Sequence, residues 1–223
     1  MKMPFLYYTT SAVQGGVGIL GMIRYKKVTQ PLQLLIILIL YWLIIACVEF
    51  YMQQHNINTL SLWQINNIIE MLFFTWIYYL WQTSKLNGKT LFGSLMLFLI
   101  IWIIGKLTFE PFSGADDITW GLSRLIQVFF GINVLLNLYG EERNSPILKN
   151  VKLLVSSAFV IYSAGTFFLF SLFTPLLKVS VELTRMFYYI NWVLIIVAHI
   201  LYAQAILSDS KEKEHASRQL PKF

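Results

Sequence analysis

Long apolar stretches alternate with short polar connections along almost the whole chain. A membrane-spanning helix needs roughly 20 mainly apolar residues, and seven segments reach or approach that length. These segments are about Pro4–Ile23, Pro31–Tyr51, Leu62–Gln82, Thr90–Gly105, Ile118–Tyr139, Leu153–Thr174 and Leu183–Leu207. The pattern predicts an all-α fold, a polytopic bundle of seven transmembrane helices.

The composition agrees with a membrane protein of one domain. Hydrophobic residues make up 57% of the chain and charged residues only 13%, whereas a soluble domain carries about 25% charged residues. No linker-like stretch interrupts residues 1–208, which are predicted to form the transmembrane domain. Residues 209–223 are polar and are predicted to be a disordered cytoplasmic tail. The single cysteine, Cys47, excludes an intrachain disulfide.

The positive charges indicate how the bundle is oriented. If Arg24, Lys26 and Lys27 lie in the cytoplasm, the N-terminus lies outside, and the alternation of the seven spans fixes every other loop. Cytoplasmic segments then hold twelve Lys and Arg residues and outer segments only three. The positive-inside rule therefore predicts an N-terminus outside and a C-terminus in the cytoplasm. Because the +6 net charge is explained by topology, nucleic acid is not predicted as a partner.

Polar residues within the spans concentrate in the outer half of this orientation. Such residues are costly in lipid and are candidates for function. In the third span, Asn67 and Glu70 are three residues apart and so lie on one helix face. Together with polar residues of the neighbouring spans they predict a pocket open to the outside. Its candidate ligand-binding residues are Glu49, Asn67, Glu70, Arg124, Gln127, Arg185 and Asn191.

The same residues have a structural interpretation. Polar side chains in membrane bundles often hold helices together, and Glu70 with Arg124 could neutralise each other as a structural pair. Glu182 and Arg185 are spaced to form an ion pair along one helix. His199 stands apart from other titratable residues and is expected to be a buried, hydrogen-bonded histidine.

Small residues in the first span predict close helix packing. Gly15, Gly16, Gly18 and Gly21 lie within two turns of one predicted helix. Glycines at such spacing let helix backbones approach closely in membranes. The sixth span also carries small residues, among them Gly165, and it too is expected to pack closely against its neighbours.

No catalytic chemistry is apparent in the sequence. The three histidines, His55, His199 and His215, fall in separate segments and do not predict a metal site. The last span, from Met186 to Ser208, contains no lysine for a retinal Schiff base. We therefore predict no catalytic, cofactor-binding or metal-binding residue, and we favour a role other than that of an enzyme.

Three stretches carry a resemblance to a known group of proteins. They are Leu62–Trp81 with Asn66, Asn67 and Glu70, the tripeptide Ser123-Arg124-Leu125, and Tyr162-Ser163-Ala164-Gly165 followed by Phe167-Phe168. In these stretches the chain resembles a family of small seven-helix membrane proteins common in Bacteroidota. The resemblance implies a bacterial inner-membrane location and a sensor-like or signalling-associated role.

Three functions remain open on the sequence. The first is a sensor-like or signalling-accessory module that binds a small molecule or lipid headgroup in the outer pocket and acts on a cytoplasmic partner. The second is a transporter of small solutes or ions, which needs a polar path through the largely apolar inner half. The third is a structural subunit of a membrane complex. Membrane lipids are partners in each case, and the sequence leaves the oligomeric state open.

Overall fold

The computed structural model describes residues 5–81, 88–112, 114, 116–141 and 150–219, all of them in helices or short connections and none in a strand. The predicted all-α class is confirmed. The described helices are α1 (Phe5–Arg24), α2 (Gln30–Gln54), α3 (Leu60–Trp81), α4 (Gly88–Thr108), α5 (Asp117–Glu141), α6 (Val151–Ser171), α7 (Phe173–Val179) and α8 (Val181–Gln219), with a 3₁₀ turn, Tyr25–Lys27, after α1.

Five helices, α2, α4, α5, α6 and α8, are long and apolar enough to cross a membrane. Large apolar side chains such as Ile44, Met96 and Phe129 are exposed on their outer faces, as expected for surfaces that lie against lipid. Helices α1 and α3 fall outside this set of five. Both turn polar side chains into the bundle, for example Gln14 and Asn67, and these lower their hydropathy. The fold is consistent with a multi-pass membrane protein, while the count of seven spans and the orientation stay predictions.

Consecutive long helices run in opposite directions. The largest apolar cluster draws on the C-terminal halves of α1, α3, α5 and α8 and the N-terminal halves of α2 and α6. Leu35, Phe74, Phe130, Phe159 and Ile206 are among its buried members. These helix halves can meet only if the helices alternate in direction. We call this side of the bundle the packed end and the opposite side, where α1 begins, the cavity end.

Glycines permit close helix contacts in the bundle. A Cβ atom built on Gly21 of α1 would lie 2.8 Å from Cγ1 of Ile36 in α2, so the two backbones approach more closely than a larger residue would allow. In α6, Gly165 faces Leu194 of α8 in a similarly close contact. The expected close packing of the first and sixth spans is confirmed at these positions.

The last two spans differ from their predicted bounds. The sixth predicted span continues to Thr174, but α6 ends at Ser171 and the short helix α7 follows before α8 begins. Helix α8 extends to Gln219, and so includes most of the segment predicted as a disordered tail. Near the packed end, the Asp209 carboxylate accepts a hydrogen bond from the backbone N–H of Thr29, with the two atoms 2.6 Å apart.

Candidate functional site

A buried ion pair lies at the centre of the bundle. Oε2 of Glu70 in α3 is 2.7 Å from Nη2 of Arg124 in α5, and both side chains are almost fully buried. The other carboxylate oxygen accepts hydrogen bonds from Trp42 Nε1, at 2.7 Å, and Asn66 Nδ2, at 3.1 Å. Three donors therefore surround the Glu70 carboxylate, which supports the structural role that the sequence allows for this pair.

Arg124 extends this polar network to α6. Its Nη1 donates to Gln127 Oε1 at 2.9 Å, and the same oxygen accepts a hydrogen bond from the Ser163 hydroxyl at 2.7 Å. The Arg124 guanidinium carbon lies 4.9 Å from the ring centre of Tyr162, a geometry that stabilises a cation. The network thus ties α2, α3, α5 and α6 together through one charge pair.

Asn67 belongs to the contact between α3 and α5. Its Oδ1 accepts a hydrogen bond from the Ser123 hydroxyl at 2.6 Å, and its side chain is fully buried. Asn67 therefore lies beside the network of Glu70 and Arg124 rather than facing open space.

A cavity of about 620 Å³ opens beside the network at the cavity end. It is lined by the beginnings of α1, α3, α5 and α8 and by the ends of α2 and α6. Aromatic rings form much of its wall, including those of Tyr7, Trp42, Trp63, Trp120, Tyr188 and Trp192. Its volume lies in the range of small-molecule sites, which are about 300–1,000 Å³ and mostly apolar with a few polar groups.

Six buried polar atoms of residues that line the cavity have no hydrogen-bond partner in the described part of the chain. They are Asn66 Oδ1, Asp116 Oδ2, Trp120 Nε1, Asn191 Oδ1, His199 Nε2 and the Tyr202 hydroxyl. Each buried polar atom left without a partner costs about 1–3 kcal/mol. Such a cluster in one cavity is therefore explained by water or a ligand that supplies the missing hydrogen bonds.

The chemistry of two of these atoms follows from their neighbours. Nδ2 of Asn66 donates to the Glu70 carboxylate, so the amide oxygen is the atom left without a partner. Nδ1 of His199 lies 2.8 Å from the carbonyl oxygen of Ile195 and must donate to it, which leaves Nε2 as an acceptor in the neutral ring. Both atoms therefore require a donor. His199 is buried as expected, but only one of its two nitrogens is satisfied.

Glu49 lies at the mouth of the cavity and forms no ion pair within 4.0 Å with any described residue. Its Oε1 accepts a hydrogen bond from Gln53 Nε2 at 2.9 Å, and the Trp63 side chain approaches the same carboxylate. The Tyr7 and Tyr188 side chains also lie within electrostatic reach of Glu49. The only ion pairs within 4.0 Å between described residues are those of Glu70 and of Asp116.

The helix pair that the sequence predicts near the cavity mouth is not formed. Arg185 lines the cavity, but it makes no ion pair with Glu182, since neither residue is in one of the two pairs between described residues. Both side chains are exposed, and an exposed pair gains little free energy against the entropy of ordering two long side chains.

A second charged cluster lies where α4 connects to α5. Lys106 Nζ is 2.5 Å from Asp116 Oδ1. The buried Glu110 carboxylate accepts hydrogen bonds from the backbone N–H groups of Ile118 and Thr119, at 2.5 and 3.2 Å, and so caps the first turn of α5. Burial raises the pKa of Glu110, the neighbouring Asp116 adds to this shift, and the hydrogen bonds from Ile118 and Thr119 oppose it.

The structure divides the predicted candidate residues into two groups. Those that line the cavity are Glu49, Glu70, Arg185 and Asn191; those in the adjoining buried network are Asn67, Arg124 and Gln127. The sequence reasoning missed the contribution of α1, where Tyr7, Thr10 and Gln14 line the cavity. The four-residue spacing of Thr10 and Gln14 within an apolar span was the available signal.

The described residues do not form a candidate metal centre. Among the described residues, no three His, Cys, Asp or Glu side chains come together in a way that could hold a metal ion. No protein-family model, curated protein or solved structure matches the chain. The resemblance to a Bacteroidota family stays a prediction, and the function has to be argued from the cavity itself.

Proposed function

We propose that the chain is a sensor-like module of the bacterial inner membrane whose cavity binds a small amphipathic molecule. In this proposal the seven long helices cross the membrane, and the cavity end faces outward with the N-terminus. The observation that carries the proposal is a cavity of about 620 Å³ that combines aromatic walls with six buried polar atoms lacking partners among the described residues. A ligand with an apolar body and hydrogen-bonding groups would satisfy both features.

The packed end of the bundle favours binding over transport. A transporter alternates access to its site from the two sides of the membrane. Below the cavity, Leu35, Ile36, Ile39, Phe74 and Phe159 are buried in one apolar cluster with at most 4% of their surface exposed. Dense apolar packing among these described residues disfavours the passage of a polar solute, so a bound molecule would act on helix positions.

The unpartnered atoms also favour a binding role over a purely structural one. The Glu70 carboxylate, which joins helices, is satisfied by its three donors. The six cavity atoms are not satisfied in this way. Burying them serves no purpose in holding helices together, but it is what a binding site requires before its ligand arrives.

Native mass spectrometry of the full chain, purified from membranes in lipid nanodiscs, tests the proposal. We expect a bound small molecule on the native protein and its loss from Ala46→Trp, because Ala46 lines the cavity and an indole would occupy the ligand's space. Cys47→Trp is the matched control, since Cys47 is exposed and outside the cavity lining.

Two results would contradict the proposal. One is a native protein without a bound molecule, or with the same molecule retained in Ala46→Trp. The other is uptake of the identified molecule into liposomes that contain the purified protein, which would make the chain a transporter.

A further inference from the structure

We infer that the ligand is an organic amine in its protonated form, with its ammonium group at Glu49 and its apolar body in the cavity below. This inference rests on the proposed function and names the chemical class of the ligand. It follows from three properties of the described residues, namely an unpaired carboxylate, the aromatic rings around it, and the hydrogen-bond acceptors deeper in the cavity.

The charge of the cavity is not balanced at Glu49. Four carboxylates line the cavity, those of Glu49, Glu70, Asp116 and Asp117. Glu70 and Asp116 are paired with cations. Asp117 accepts a hydrogen bond from the backbone N–H of Thr174 at 3.1 Å and lies in the first turn of α5, where the helix dipole favours a negative charge. Among the described residues, Glu49 has only the neutral Gln53 and Trp63 as hydrogen-bond partners. A carboxylate in partly desolvated surroundings favours a cation as its partner.

Arg185 does not remove this imbalance. It is the one arginine among the described residues that line the cavity. Its side chain is exposed, and it forms no ion pair within 4.0 Å with any described carboxylate. A hydrated guanidinium at the mouth is screened by solvent and contributes little at Glu49. An incoming cation can therefore take the place beside this carboxylate.

The surroundings of Glu49 suit an ammonium group in particular. Tyr7 of α1, Trp63 of α3 and Tyr188 of α8 line the same cavity as this carboxylate of α2, and the Trp63 side chain donates a hydrogen bond to it. Aromatic faces attract cations through the ring quadrupole, more strongly as the site is desolvated. Four helices thus contribute one anion and three electron-rich rings to a single region of the cavity, the combination by which proteins recognise ammonium groups.

Two atoms in the deeper part of the cavity are hydrogen-bond acceptors without a donor. Asn66 Oδ1 and His199 Nε2 both need a donor, and neither has one among the described residues. Between them and Glu49 the cavity is lined by apolar side chains, including Ile45 and Ala46. Glu49 is seven residues beyond Trp42 in α2, about 10 Å at 1.5 Å per residue. This length fits an aromatic or aliphatic body that carries an amine at one end.

Three probes with a common phenyl group test the inference on the full chain in phosphatidylcholine nanodiscs at pH 7. They are phenethylammonium, the uncharged 2-phenylethanol and the anion 3-phenylpropanoate, with binding measured by isothermal titration calorimetry. We expect phenethylammonium to bind at least about tenfold more tightly than 2-phenylethanol. Glu49→Gln should remove most of this preference while changing the affinity for 2-phenylethanol by less than about twofold.

Glu182→Gln is the matched control, because it removes a carboxylate that is exposed and outside the cavity lining, and it should leave the preference intact. Equal binding of the three probes, tighter binding of the anion, or a preference that survives Glu49→Gln would each overturn the inference. So would a failure of phenethylammonium to bind the native protein. The co-purified molecule lost from Ala46→Trp decides separately whether the cavity binds any ligand.

Discussion

Removing one charge of the Glu70–Arg124 pair leaves the other charge without a counterion in the bundle interior. Breaking a buried ion pair in this way costs about 3–5 kcal/mol. The hydrogen-bond partners that remain around each residue determine whether Arg124→Gln or Glu70→Gln costs more free energy. After Arg124→Gln, the Glu70 carboxylate keeps the donors Trp42 and Asn66, so we expect a loss near about 3 kcal/mol.

Glu70→Gln is expected to be the more harmful of the two changes. Arg124 would keep only neutral partners, namely Gln127, the ring of Tyr162 and the new amide oxygen, and none of these carries a compensating charge. Because a guanidinium stays protonated in proteins, the charge cannot be removed by a proton shift. We therefore expect a loss near about 5 kcal/mol, the upper end of the range for a broken buried pair.

The double variant Glu70→Gln/Arg124→Gln leaves two neutral amides that can hydrogen-bond to each other. It should be more stable than the sum of the single losses implies, by at least about 1.5 kcal/mol. The free energy of unfolding would be measured by reversible titration of bicelle-embedded protein with sodium dodecyl sulfate. Arg185→Gln is the control for loss of an exposed arginine and should stay within about 0.5 kcal/mol of the native protein.

A coupling energy below about 0.5 kcal/mol, the limit for independent sites, would refute the reasoning. It would mean that the two charges do not depend on each other in the folded state. Added salt provides a second check, since screening acts on exposed charges far more than on buried ones. A coupling energy that disappears as salt is added would also contradict a buried pair.

Three further changes test other parts of the fold. Gly21→Leu should lower the free energy of unfolding by about 1–3 kcal/mol through overpacking against Ile36, and an unchanged unfolding titration would contradict the close contact. The folded state raises the pKa of Glu110 above its ordinary value of 4.5, so thermal stability should fall as pH rises through the raised pKa. Glu110→Gln should flatten this pH dependence. Equal slopes of thermal stability against pH in the native protein and the variant would contradict the assignment. Asp209→Ala should lower the free energy of unfolding by about 1.5–3 kcal/mol, because the hydrogen bond from Thr29 to a charged acceptor is lost. Asp209→Asn should retain much of this stability. Equal losses of free energy in the two variants would contradict the role of this acceptor.

The helical class and the central ion pair could be predicted because the length of each apolar segment and the position of a residue along it can be read from the sequence. Apolar length indicates a span, and the rise per residue sets the depth of a side chain. Glu70 and Arg124 have opposite charges at comparable depth, and they do meet at 2.7 Å. Gly21 likewise indicated a close contact that the structure contains.

The direction of a side chain around its helix could not be predicted as well. Residues three apart differ by about 60° around a helix of 3.6 residues per turn. This difference is enough for Glu70 to line the cavity while Asn67 faces Ser123. Asn66, which was not chosen as a candidate, lines the cavity instead. Only the packing of neighbouring helices decides such a difference.

The part of α1 that lines the cavity was hard to recognise from the sequence, because hydroxyl side chains in this helix form hydrogen bonds to its own backbone. The Thr10 and Ser11 hydroxyls donate to the carbonyl oxygens of Leu6 and Tyr7, one turn earlier. A hydroxyl satisfied within its own helix fits an apolar span at little cost. The glycines of this helix therefore predicted its contact with α2. Its polar residues did not indicate that one face lines the cavity.

The hydrogen bond between the Asp209 carboxylate and the backbone of Thr29 holds α8 at one point along its length, about which the helix can pivot. One arm, from Tyr188 at the cavity to Asp209, is about 32 Å long, and the other, from Asp209 to Gln219, is about 15 Å at 1.5 Å per residue. If α8 tilts as a rigid rod about this tie, its two ends move in opposite directions. A 1 Å shift of Tyr188 then becomes a shift of about 0.5 Å at Gln219 by this ratio of arms. Such a tilt would carry an event at the cavity to the C-terminal end of α8.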